Sequence, residues 1–150
     1  MKKVSSLLLL GVIALSFMNC SKNDSSPSTN TSGAYKMYNY SSGSAVEAGS
    51  LTLSETSDGN ASISVSLSNN YLVPGKTFKS YLILKDSVLG VDVTCATLND
   101  MDGATGLSTT APLINSSTNV AIKYDDIIAA KRYSVKVYNS NSIQAIGKIE

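Results

Sequence analysis

Two thiols, a handful of carboxylates and eight tyrosines are the side chains in this 150-residue chain that carry chemistry, and there is no histidine among them. The thiols differ in setting. Cys20 ends an apolar run, Leu7 to Met18, and is followed at once by Ser21-Lys22-Asn23-Asp24-Ser25-Ser26-Pro27. Cys95 sits in the alternating stretch Val91 to Leu98, on the side of Val91 and Val93, and reads as a buried, inert thiol with no electropositive neighbour to activate it. Asp100-Met101-Asp102-Gly103 and Asp125-Asp126 are the closest-spaced carboxylates, and hard cations want such groupings. In the helix-loop-helix calcium pattern, however, the first ligand would fall on Leu98 and the bidentate acid on Thr109. A turn through Asp and Gly fits Asp100–Gly103 better, and Asp125-Asp126 fits the start or cap of a short helix. Serines are abundant, but no imidazole exists to activate one. Distance in sequence leaves paired carboxylates for glycoside cleavage open, but a small sandwich with no tryptophan lacks a sugar-stacking platform. We therefore expect no catalytic constellation, no cofactor and no metal site.

The segment around Cys20 says where such a chain goes. Lys2 and Lys3 form a positive n-region, and an apolar stretch of signal-peptide length leads to the cysteine. It is short for a spanning helix, which needs about 20 apolar residues. The segment resembles a bacterial lipoprotein signal, although Phe17 and Asn19 stand where that pattern has small residues. The resemblance implies cleavage before Cys20, acylation of its thiol and attachment to a bilayer. Two or more acyl chains anchor stably where one does not. Expected boundaries are a signal peptide at 1–19, a flexible tether at 20–33 and a folded domain at 34–150. Asp24 is a weak form of the acidic signal that sends some lipoproteins to the outer surface, so an envelope location, on the outer membrane, leaves either face open.

Composition narrows the partners. Of 12 basic residues, Lys2 and Lys3 leave with the signal, giving ten against 11 acidic ones, a mature charge near −1. No basic run offers a footprint for nucleic acid.

The elements behind these residues follow a period of two. Leu51 and Leu53 oppose Thr52 and Ser54. Ser57-Asp58-Gly59-Asn60 is a turn, and Ile63, Val65 and Leu67 then face inward while Ser62, Ser64, Ser66 and Ser68 face out. That hydroxyl row is a solvated face of the kind that could also meet ice or glycan. Further strands are expected at Thr77–Lys85 after Pro74-Gly75, at Val91–Leu98, Asn119–Lys123, Arg132–Tyr138 and Ile143–Ile149, with a helical turn at Tyr124–Ala130. About eight strands and no long helix predict an all-β, antiparallel fold, either a Greek-key β-sandwich of the immunoglobulin or superoxide dismutase kind or a Greek-key barrel.

The order of short motifs resembles the CHRD domain family. The matching pieces are Gly49–Glu55, Asp58-Gly59-Asn60, Leu98–Thr110, Ile122–Ile127, Val135–Tyr138 and Ala145–Ile149, spanning roughly residues 46 to 150. The resemblance implies a β-sandwich and export. Where family members carry a His-x-His pair and a further histidine, this chain has Tyr81, Ile83 and Tyr138, so copper or zinc held by imidazole is excluded. Tyr81 and Tyr138 become ligand-binding candidates.

The expected function is thus a non-catalytic binding or structural domain on a lipid anchor, meeting a glycan or protein ligand. Asp86-Ser87-Val88 also matches a bacterial O-glycosylation consensus of the surface-loop type. A hydrolase should gather several of Asp92, Asp100, Asp102, Asp125 and Asp126 in one cleft. An exposed patch drawn from Tyr35, Tyr38, Tyr40, Tyr71 and Tyr138 would mark a binding module. An envelope-assembly subunit should leave an edge strand uncovered near a terminus.

Overall fold

The computed structural model describes residues 30–88 and 90–150. Nine strands and one helix follow in order: Thr31–Asn39 (β1), Val46–Glu55 (β2), Ala61–Leu67 (β3), Thr77–Lys85 (β4), Asp92–Thr97 (β5), Met101–Asp102 (β6), Leu107–Thr110 (β7), Tyr124–Ala130 (α1), Tyr133–Asn139 (β8) and Ser142–Ile149 (β9). Cys20, the expected signal peptide and most of the expected tether lie outside the described residues. β1 begins at Thr31, three residues before the expected domain start. Its small polar residues pair through backbone and hydroxyl groups, with Ser32 Oγ donating to the Leu53 carbonyl at 2.8 Å and the Glu55 N–H to the Asn30 carbonyl at 2.7 Å.

All strand pairs are antiparallel. The all-β architecture is the expected one, but the strands form a single continuous sheet rather than two separate layers. Its order is β5-β4-β8-β9-β1-β2-β3-β7, with β6 added to the start of β4, and it curls into a half-barrel around one core. Register explains the curl: β1–β2, β4–β5 and β8–β9 each carry a bulge. Bulges increase twist and bend the strand that holds them. Asn39 is buried beside one of them, its Nδ2 donating to the Gln144 carbonyl at 2.7 Å.

The concave face is apolar. Met37, Leu51, Leu53, Phe78, Leu82 and Val135 are all essentially inaccessible to solvent. Burying each such side chain is worth about 1.5–3 kcal/mol. Helix α1 lies at Tyr124–Ala130, as expected, and seals one end with Ile127 fully buried.

Two expectations change. Asn119–Lys123 is not a strand, because Asn119 adopts a left-handed φ of 56° and only the isolated bridges Ile114–Ala121 and Asn60–Lys123 form there. The sheet edges are also not at the termini. β1 and β9, from opposite ends of the chain, pair with each other inside the sheet, leaving β5 and β7 as the edges. Both edges are partly occupied. The Asn99 side chain donates to the Thr109 carbonyl at 2.8 Å, and the Ser116 N–H donates to the Cys95 carbonyl at 2.7 Å.

Candidate functional site

The outer, convex face of the sheet divides into two chemistries. On β2, β3 and β7 the register sets Ser50 opposite Ser66 and Leu107, and Thr52 opposite Ser64 and Thr109. Ser54 stands opposite Ser62. These outward positions carry no charge and no aromatic ring, and Ser64 and Thr109 share a hydrogen bond of 2.9 Å. This half is the hydroxyl row expected from sequence, extended onto a third strand.

The other half, on β4, β8, β9 and β1, gathers rings and cations. Tyr81 pairs with Lys136, Lys136 with Ile146, and Ile146 with Tyr38. These four side chains therefore share one face in a row across four strands, about 14 Å from end to end at the usual strand spacing. The candidate pair Tyr81 and Tyr138 is brought together, with ring centroids 5.7 Å apart and edge to face. Tyr38 and Tyr40 are a second pair at 6.5 Å. Tyr35, Tyr38 and Tyr40, with Lys36, Ile146, Lys148 and Glu150, line a groove of about 400 Å³. Tyr71 differs from expectation, since it packs against the core and lines neither this nor the neighbouring groove, while Tyr35 packs against the core and also reaches the groove.

Beside it lies a groove of about 510 Å³ that no single stretch of sequence announces. A volume of that size falls in the range of small-ligand clefts. Lys85, Lys131, Arg132, Lys136 and Lys148 line it, against Asp86, Asp92 and Glu150. The Lys85 N–H donates to the Arg132 carbonyl at 3.2 Å, which brings two of these cations side by side. Lys148 faces Ser134 in the β8–β9 register. Lys136 forms an ion pair with Asp92. The described residues hold nine Lys and Arg, so five of nine converge on one groove although the domain as a whole is close to neutral. The two grooves share Ile146, Lys148 and Glu150, so they form one trough across β9.

The candidate carboxylates do not converge. Asp100 is paired with Lys79 at 2.6 Å, while Asp102 Oδ1 accepts from the Ala104 N–H at 2.9 Å, closing its own turn. Asp125 and Asp126 occupy the first turn of α1, where they favour its dipole, but neither caps it: the N-cap is Lys123, whose side chain donates to the Asp58 carbonyl and makes no capping hydrogen bond. Among the described residues, no group of three or more Cys, Asp or Glu side chains is placed to hold a metal ion. Of the five acids proposed for a hydrolytic cleft, only Asp92 lines either groove of the trough.

Cys95 is buried, as expected, but by a different route. It is the extra residue of the β4–β5 bulge, where Leu82 pairs with Ala96 and Ile83 with Thr94. The bulge breaks the alternation, so Val91 and Val93 stay exposed while Cys95 and Ala96 are buried. Burial pushes the Cys95 thiol above its usual range, partly offset by a backbone hydrogen bond from Leu84. Burial likewise raises Tyr124 and Tyr133, with smaller contributions from nearby acidic groups. Sequence also gave no sign of Ser80, a fully buried hydroxyl whose Oγ has no hydrogen-bond partner.

No family model, curated protein or solved structure matches the chain.

Proposed function

We propose that this chain is an exported lipoprotein, held to the outer membrane through acylated Cys20, whose β-domain is a non-catalytic binding module. Its ligand face is the outer surface of β4, β8, β9 and β1. The observation that carries the reading is the row Tyr81, Lys136, Ile146 and Tyr38, flanked by Tyr138 and Tyr40, on one face of four adjacent strands. Tyrosine presents a large apolar ring with a polar tip at small conformational cost, which suits a surface that must meet a ligand in water. A buried-core explanation does not apply to these rings, because they stand on the solvent side of the sheet. The CHRD-like resemblance adds support, since the family's histidine positions fall on Tyr81 and Tyr138, which adjoin each other. A Greek-key relation to that family is part of the same proposal.

The test is intact mass and membrane fractionation of wild type beside Cys20→Ala, with protease shaving of whole cells. Acylated, membrane-bound wild type and a released variant are expected. A wild type of unmodified mass that stays soluble would end the lipoprotein reading.

A further inference from the structure

We infer that the trough across β9 binds an acidic oligosaccharide, with its carboxylates held in the basic groove and its ring faces laid on the tyrosine groove. This rests on the binding-module reading above and names its ligand class.

Three observations converge on that class. First, charge: Lys85, Lys131, Arg132 and Lys148 line the larger groove, and none of them forms an ion pair among the described residues. The other two ion-paired lysines meet Glu47 and Asp100: Lys36 lines the tyrosine groove, and Lys79 lines neither groove. With Lys136 paired to Asp92, the four cations of the larger groove outnumber its other carboxylates, Asp86 and Glu150, and an anionic ligand gains charge-assisted hydrogen bonds from that excess. Second, shape: the trough runs across the strands rather than along an edge, so an extended peptide adding a β-strand does not fit it. Both grooves lie open on the outer surface. Third, continuity: Ile146 and Lys148 belong to both grooves, so a single elongated ligand touches cations on one side of β9 and rings on the other. A polymer alternating charged groups with flat, partly apolar ring faces has both features in one repeat.

The experiment is calorimetric titration of the full chain, purified in non-ionic detergent, with hexagalacturonate, neutral maltohexaose and glycerol 3-phosphate. Hexagalacturonate is expected to bind about tenfold more tightly than maltohexaose, and to weaken as salt rises from about 50 to about 300 mM. Arg132→Gln with Lys148→Gln should abolish that preference. Tyr38→Ala should weaken both sugars. Arg132 and Lys148 are exposed, so their loss leaves the fold intact, which thermal unfolding checks. Equal affinity for the two sugars, or a preference that survives the double variant, overturns the inference. So does glycerol 3-phosphate binding as tightly as the uronate, which would make the groove a simple phosphate site. These results leave the Cys20 fractionation test untouched, so failure here and failure of the lipoprotein reading are separable.

Discussion

The two halves of the convex face are built on one sheet and by one rule, yet they differ in almost every property a ligand would notice. Ser50–Ser54 of β2 with the facing positions of β3 and β7 present Ser and Thr in register, joined by Leu107 and without charge. β4, β8, β9 and β1 present two tyrosine pairs and a groove lined by five cations. Inward positions are alike in both halves, because the core demands apolar side chains at every second residue. Outward positions are unconstrained by packing, so there composition reports use. The hydroxyl half is what a solvated β-surface looks like when solubility is its only requirement. The tyrosine–cation half keeps rings and like charges together, which solubility alone does not favour.

The largest effects should come from the glycines that let each half close on its neighbours. A Cβ on Gly49 would lie 2.2 Å from the Ser66 carbonyl oxygen and 2.9 Å from the Leu67 Cα, at a φ of 156° that side chains rarely adopt. Backbone cannot step aside, so Gly49→Ala should cost at least about 3 kcal/mol. On the other half, a Cβ on Gly147 would meet Leu51 Cδ2 at 2.4 Å and Met37 Cγ at 2.8 Å. Side chains can shift, and about 2 kcal/mol is expected. Urea unfolding of both variants checks the ranking; a milder Gly49→Ala would show that the β2–β3 contact is looser than described.

Next comes the contrast in binding. Tyr81→Ala with Tyr138→Ala should weaken oligosaccharide capture about tenfold or more, in line with the loss of aromatic anchors. Ser64→Ala with Thr109→Val, on the hydroxyl half, should leave binding unchanged and stability within about 0.5 kcal/mol. Titration of both double variants decides it. If the hydroxyl pair proves the sensitive one, the assignment of roles is reversed.

Ser80 gives a smaller effect in the opposite direction. Its Oγ is fully buried without a hydrogen-bond partner, so Ser80→Ala should stabilise the chain by about 1 kcal/mol. A lower unfolding midpoint would show that the hydroxyl is satisfied.

The smallest effect is in pH. Cys95, Tyr124 and Tyr133 all hold their protons more tightly in the fold than in water, chiefly through burial. Their contribution is complete below the ordinary thiol range, about pH 8.5, and below the ordinary phenol range, about pH 10. It declines as pH rises through those ranges, because the unfolded chain ionises first. The urea midpoint should therefore fall steadily between about pH 8 and pH 11, and a flat profile would contradict it.

How much of this was legible in sequence follows the same division. The hydroxyl half was readable because it arises from a local hairpin, Leu51 to Leu67, whose alternation and Asp58-Gly59 turn are contiguous. Thr77–Lys85 and Tyr124–Ala130 were equally local, and both lie where expected. The tyrosine–cation half was readable only in part. Tyr81 and Tyr138 are candidates from sequence alone, but Tyr38 meets Ile146 through a strand pair that joins opposite ends of the chain. Lys85, Arg132 and Lys148 converge for the same reason, and nothing in their separate neighbourhoods signals it. The bulges were hidden too, so Cys95 was placed on the side of Val93 when one extra residue reverses that relation. Tyr71 packs against the core and Tyr35 both packs there and lines the outer groove, because tyrosine serves core and surface equally well.

The most direct test of the division is amide NMR of the chain titrated with hexagalacturonate. Shift changes should cluster on Tyr38, Tyr81, Lys136, Ile146 and Lys148 and be absent from Thr52, Ser64 and Thr109. Changes concentrated on the hydroxyl strands, or none on either half, would contradict the account.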